Sequence, residues 1–143
     1  MPKLTTLAPV LLVRDVVASA DYFRDRCGFR YDRFWGDPPD FCMVWRDGLC
    51  LMLKQTQKHE AIVPNWKVED KLWDAYFWVD DADGLYEQFK AAGARMDYGP
   101  CDQPYGCREF GIQTSTATTS RLDRTWRYTP RRRSPVRFRH FFC

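Results

Sequence analysis

The residue types able to hold a metal ion or move a proton are scarce in this chain. There are two histidines, His59 and His140, eighty-one positions apart. His59-Glu60 pairs an imidazole with a carboxylate, but its polar surroundings are those of a solvated loop. No cysteine or serine stands directly beside a histidine, so nucleophilic catalysis has no support. A dinucleotide fingerprint, a P-loop and a G-x-S-x-G elbow are absent. Asp80, Asp81 and Asp83 gather at the start of a helical segment, where carboxylates satisfy amide groups and the helix dipole. What the chain does offer is aromatic surface. Alternation puts Asp74, Tyr76 and Trp78 on one face of a strand and Cys50, Met52 and Lys54 on one face of another. Trp35, Trp45, Trp66 and Tyr105 fall at strand ends and in loops. Flat rings with a few polar groups suit a planar or heterocyclic ligand held by stacking; the same stripe is also what plain core packing looks like.

The elements that would position these residues come as a repeat. The first copy opens with Val10-Leu11-Leu12-Val13 and Arg14-Asp15; Ala18, Tyr22, Phe23 and Cys27 then recur at helical spacing, and Gly28 stops the helix. The second opens with Tyr76-Phe77-Trp78-Val79 and Asp80-Asp81, carries Leu85, Tyr86 and Phe89, and stops at Gly93. Val13 and Val79 lie sixty-six residues apart, and the copies align with one gap. The spacing predicts helices over 17–27 and 82–92. Each leads to a short strand, 29–33 or 94–98, then through a proline-containing loop to a further strand, 41–45 or 107–112. In the first copy Asp47-Gly48 makes a hairpin turn into a last strand over 49–54. Each unit is thus βαβββ. The connector 55–71, with Pro64, Asn65 and Trp66, is either a solvated link or a flap over a ligand.

The paired signatures Val13-Arg14-Asp15, Tyr22-Phe23 and Gly28-Phe29, then Val79-Asp80-Asp81 and Ala92-Gly93-Ala94, resemble the modules of the vicinal oxygen chelate superfamily of glyoxalases, bleomycin-resistance proteins and extradiol dioxygenases. The resemblance covers residues 7–113 and implies an α+β fold of two tandem βαβββ modules, with curved mixed sheets around a cleft. In metal-dependent members it implies four ligands on the first and last strands of each module. Carried over singly, these positions are Ala8, Met52 and Asp74, with the fourth in the chain after Gln113. One carboxylate is not a site for a divalent ion, so neither metal nor other cofactor is expected. The bleomycin-resistance members, metal-free dimers that sequester an antibiotic, are the branch this implies.

After Gln113 the pattern fails. The second unit should end in a turn and a strand, but Thr114-Ser-Thr-Ala-Thr-Thr-Ser120 leads into an arginine-rich run. Residues 114–143 hold eight arginines and one aspartate, a charge of +7, which leaves residues 1–113 at −4 of the net +3. Such tails invite a nucleic-acid reading. A shifted reading frame gives a simpler account. Back-translating residues 114–130 and taking the bases one position earlier yields, with one choice of synonymous codons, Asp-Leu-Asp-Gly-Tyr-Asp-Ile-Ala-Leu-Gly-Pro-Asp-Met-Glu-Val-His-Thr. That peptide has the missing Asp-Gly turn and strand, and it aligns with Asp47-Gly48-Leu49-Cys50-Leu51. The choice of wobble bases contributes to the agreement, and a natural basic tail is the other reading. On either, the last strand of the second module is expected to be missing or altered and 114–143 irregular.

The organisation expected is therefore a first module at 1–56, a linker at 57–72, a truncated second module at 73–113 and the basic tail. Six cysteines without CxxC spacing fit a reducing, cytoplasmic setting, and Arg14-Asp15 interrupts the only apolar run near the start. No segment approaches the roughly 20 apolar residues of a membrane span. The reading is a metal-free binder of an aromatic or planar, antibiotic-like small molecule, homodimeric, with no catalytic residue and no nucleic-acid or membrane partner. Its ligand residues are Trp35, Trp45, Met52, Asp74, Tyr76, Trp78 and Tyr105. The alternative is an enzyme of the same fold, a lyase, isomerase or dioxygenase, with a divergent site.

Overall fold

In the first module β1 (Val10–Val13) leads into α1 (Val16–Cys27), followed by β2 (Phe34–Trp35), β3 (Phe41–Arg46) and β4 (Leu49–Gln55). A 3-10 turn at His59–Ala61 and the short α2 (Asn65–Val68) make the connector. The second module repeats the plan with β5 (Ala75–Val79), α3 (Ala82–Ala91), β6 (Arg95–Asp102), β7 (Arg108–Gln113) and β8 (Trp126–Pro130). This computed structural model describes residues 1–69 and 72–114 and the backbone of 126–130, without the side chain of Trp66. The sheets have matching orders, β1-β4-β3-β2 and β5-β8-β7-β6. In each, the first and last strands run parallel and the others antiparallel, so both are mixed sheets of an α+β fold.

The repeated motifs have local physical reasons. The aspartate of each Val-x-Asp is a helix N-cap: Asp15 accepts from the Ala18 amide and Asp81 from the Gly84 amide, both at 2.9 Å. Each satisfies one of the amides left open at a helix start. Gly28 ends α1 in the left-handed region at φ 69°, which glycine enters without a Cβ penalty. Asp47 and Gly48 both have positive φ, 50° and 78°, as a tight two-residue hairpin between β3 and β4 requires.

One core joins the modules. Phe23, Phe29, Leu51 and Leu53 share a buried cluster with Phe77, Phe89, Phe110 and Ile112. Fully burying a side chain of this size contributes about 1.5–3 kcal/mol. Polar ties reinforce the join: Arg26 donates to the Ala92 carbonyl at the end of α3 (2.7 Å). Within the second module, a two-point ion pair of Arg108 with Asp83 (2.7 and 2.9 Å) fastens β7 to α3.

Three elements depart from expectation. The strand over 29–33 reduces to a single bridge between Arg30 and Trp45, and pairing resumes only at Phe34. Phe29 is drawn into the core, its ring 5.3 Å from that of Phe23, and the Tyr31 hydroxyl is engaged by Asp21 and Arg24 of α1, so this stretch follows the helix and not β3. β6 runs on through Pro100 to Asp102, with register shifts that let a proline sit in a paired strand. The third lies in the basic tail. Residues 126–130, expected to be irregular, form β8 between β5 and β7. Trp126, Tyr128 and Thr129 are strand-forming types, and a strand here pairs on both sides. The last strand is thus altered, reached after residues 114–125 where the first module uses two residues. The rest of the expected irregular tail, 115–125 and 131–143, lies outside the described residues. No helix among the described residues is long and apolar enough to cross a membrane.

Candidate functional site

In each sheet one side faces the shared core. Cys42, Val44, Leu51 and Leu53 point inward from the first, and Ala75, Phe77, Phe110 and Ile112 from the second. Alternation turns the intervening residues to the other side. The open face of the first sheet carries Trp35, Phe41, Met43, Trp45 and Met52, in rows set by the pairs Trp35↔Phe41, Met43↔Met52 and Val10↔Met52. Trp35 packs edge-on to Phe41 at 5.5 Å, and the Arg33 guanidinium lies 4.9 Å from its ring centre. Val10 (58% exposed) and Leu12 (43%) extend this apolar surface along β1.

The corresponding face of the second sheet is more polar and is buried at its centre. Tyr76 and Trp78 are neighbours on β5, their rings 5.2 Å apart, and Trp73 meets Tyr76 at the same distance. At the centre is Glu109 of β7, 0% exposed. Its Oε2 accepts from the hydroxyls of Tyr76 (3.2 Å) and Tyr105 (2.7 Å), and its Oε1 from that of Tyr98 (3.1 Å). A buried carboxylate is costly unless hydrogen bonds replace its water, and three phenols do so here. Tyr105, on the β6–β7 connection, is 55% exposed, so the nest opens toward solvent on that side. The arrangement is a buried carboxylate that fixes three phenols, with the Tyr105 ring reaching solvent.

The seven candidate residues therefore fall into groups. Tyr76 and Tyr105 meet on Glu109, with Trp78 against Tyr76. Trp35, Trp45 and Met52 belong to the other sheet, across the shared core. Asp74 stands just before β5, where its Oδ1 accepts from the Asn65 amide at 2.7 Å and the Asn65 side chain donates to the Trp73 carbonyl, anchoring the connector. Sequence reasoning missed Glu109, Tyr98 and Trp73. Glu109 alternates with the core residues Phe110 and Ile112, so it reads as an outward surface carboxylate. The only available signal was that tyrosines at 76, 98 and 105 could converge if β5, β6 and β7 shared a sheet.

The superfamily's metal positions do not fit an ion here. Ala8 and Met52 supply no hard donor, and Asp74 is held by the connector. The fourth position lies outside the described side chains. Among the described residues no three His, Cys, Asp or Glu are grouped to hold a metal. Burial holds the Cys27 and Cys42 thiols well above the ordinary range, that of Cys42 pushed up to about 11, so neither is an activated nucleophile.

No protein-family model matches the sequence, and no curated protein matches it. Solved structures do. A bleomycin-binding protein from bleomycin-producing Streptomyces verticillus, complexed with copper(II)-bleomycin, is 27% identical, with TM-score 0.59 over 91% of this chain and 97% of that one. TnmS3, an antibiotic binding protein from Streptomyces sp. CB03234, is 16% identical, with TM-score 0.64 over 91% of this chain and 98% of that one. A glyoxalase/bleomycin resistance protein/dioxygenase from Nocardioides is 20% identical, with TM-score 0.59 over 91% of this chain and 85% of that one. Two βαβββ modules joined through one core, matched along nearly the whole length of such proteins, give this chain the fold of the vicinal oxygen chelate superfamily.

Proposed function

We propose that this is a small-molecule-binding protein of the bleomycin-resistance type, which takes an aromatic or planar, antibiotic-like ligand without using a metal. The observation that carries this reading is the Glu109 nest: three tyrosine hydroxyls on one buried carboxylate, with Trp73 and Trp78 beside it. Rings supply stacking area and the carboxylate holds the phenols in place, rings with a few placed polar groups being usual in ligand pockets. The similar structures that bind bleomycin or another antibiotic support the same reading.

The apolar open face of the first sheet suits a second copy of the chain. A homodimer that sets this face against the Glu109 face of its partner would bring Trp35, Trp45 and Met52 to the same ligand as Tyr76, Trp78 and Tyr105. Exposed Val10 and Leu12 favour such burial.

The test is titration of the full chain with bleomycin and a panel of planar heterocyclic antibiotics, followed by calorimetry and indole fluorescence, before and after dialysis against EDTA. Binding that survives EDTA and is lost in Glu109→Gln supports the proposal. No binding across the panel, together with uptake of one divalent ion per chain, would overturn it.

A further inference from the structure

A cleft of about 290 Å³ opens between the modules, reaching Trp78 and Val79 at the end of β5. Its floor is apolar and comes from both halves of the chain: Phe29 of the first module, and Phe77, Leu85 and Phe89 of the second. Its rim is charged, with Arg46 and Asp47 from the β3–β4 hairpin and Asp80 from the turn before α3. Junctions between packed units are where small-molecule sites concentrate, and pockets that enclose a ligand run from about 300 Å³ upward. The size here thus suits one or two fused rings.

The rim sets the sign of the ligand. The Arg46 guanidinium is already committed: it donates to the Cys27 carbonyl, to Gln88 Oε1 at 3.2 Å and to Asp47 at 3.2 Å, and it lies 5.4 Å from the Phe89 ring centre. Asp47 is only lightly used, with its side chain 82% exposed. Asp80 is exposed and has no hydrogen-bond partner among the described residues. Two carboxylates against one engaged arginine leave the rim net negative.

We propose that this inter-module cleft is a second ligand site, for a small molecule with a one- or two-ring aromatic body and a protonated amine. The rings lie on Phe77, Leu85 and Phe89, and the amine meets Asp80 and Asp47. The cleft shares Trp78 with the surroundings of the Glu109 nest but none of Glu109, Tyr76, Tyr98 and Tyr105, so loss of binding at one site can be told from loss at the other. Because Arg46 joins β3, the end of α1 and α3, a ligand here bridges the elements that hold the modules together and stabilises their junction.

The probes are tryptamine and its anionic counterpart indole-3-propionate, followed by amide chemical-shift mapping on the isotope-labelled full chain. Tryptamine is expected to shift Phe29, Leu85 and Phe89 at sub-millimolar concentration and to bind at least fivefold more tightly than indole-3-propionate. Asp80→Asn is expected to weaken it three- to tenfold. Leu85→Trp, which fills the cleft, is expected to abolish binding, with unchanged far-UV circular dichroism as the check on folding. Equal or tighter binding of indole-3-propionate would overturn the assignment of charge. Shifts confined to Tyr76, Tyr98 and Glu109, or no binding of either probe at 5 mM, about the weakest affinity such a small ligand would show in a real site, would overturn the site itself.

Discussion

The Tyr22 hydroxyl donates to the carbonyl of Gln113 at 2.6 Å, ninety-one residues away in the chain. The same oxygen accepts from the Arg95 amide at 3.1 Å, and Arg95 is the residue paired with Gln113 in the β6–β7 ladder. One phenol of the first module thus clips the end of a strand pair in the second, and burial holds its pKa well above the ordinary tyrosine range. Tyr22→Phe keeps the ring and removes both bonds. It is expected to cost about 0.5–1.5 kcal/mol, since the Gln113 bond is part-buried and the Arg95 bond exposed, read as a lower urea midpoint at unchanged slope.

The paired caps allow a within-molecule comparison. Asp15→Ala and Asp81→Ala each remove one side-chain acceptor from a helix start. Each is expected to cost about 1 kcal/mol, and the double variant close to the sum, since the caps serve different helices. Calorimetric melting of the three variants checks this. A loss well under half that value for both would mean that neither aspartate acts as a cap.

These caps explain why so much of the fold was legible. Val-x-Asp, a helical stripe and a terminal glycine are local signals, each set by chemistry within one turn, and they located α1, α3 and the twofold repeat. Residues 29–33 were misread because the pull on them is not local: Phe29 and Tyr31 answer to Phe23, Asp21 and Arg24. The site was less legible still. Tyr76 and Trp78 could be placed by alternation, but Glu109 becomes a site residue only when phenols from β5, β6 and the following connection arrive around it. No spacing in the chain encodes that convergence.

Alkaline stability should follow the buried thiols. Burial pushes the Cys42 pKa from its ordinary 9.0 up to about 11, and raises that of Cys27 as well. Between those values the unfolded chain loses the thiol proton while the folded chain keeps it, so the unfolded state gains. The stabilisation is complete below pH 9 and is lost as pH rises toward about 11. Melting temperature is expected to decline over that window, and Cys42→Ala to make the decline shallower. An identical slope in the variant would contradict this account.

For the ligand site, Trp78→Ala is expected to weaken binding of the best ligand from the antibiotic panel by about 1–2 kcal/mol, the scale of one lost aromatic contact. A drop in melting temperature with affinity preserved would instead assign Trp78 to packing.

The shifted-frame reading is tested by the gene around codon 113 and by a chain carrying the alternative peptide after Gln113. In that chain an Asp-Gly turn replaces the twelve residues that now separate β7 from β8. Shortening the closure from twelve residues to two should stabilise the second sheet by about 1–2 kcal/mol through loop entropy alone. Equal or lower stability of the repaired chain would count against that reading.

The strand orders also fix when each half can assemble. In both sheets the last strand of the module is an inner one: β4 lies between β1 and β3, and β8 between β5 and β7. The first half has its keystone once residue 55 has left the ribosome, soon after β3. In the second half, β5 pairs with β8 alone among the described strands, and forty-six residues separate the two. During synthesis β5 therefore waits, without that partner, until residue 130 has left the ribosome. Any change to the chain after Gln113 acts on the strand that closes the second sheet, and its first symptom should be misfolding of newborn chains in the cell.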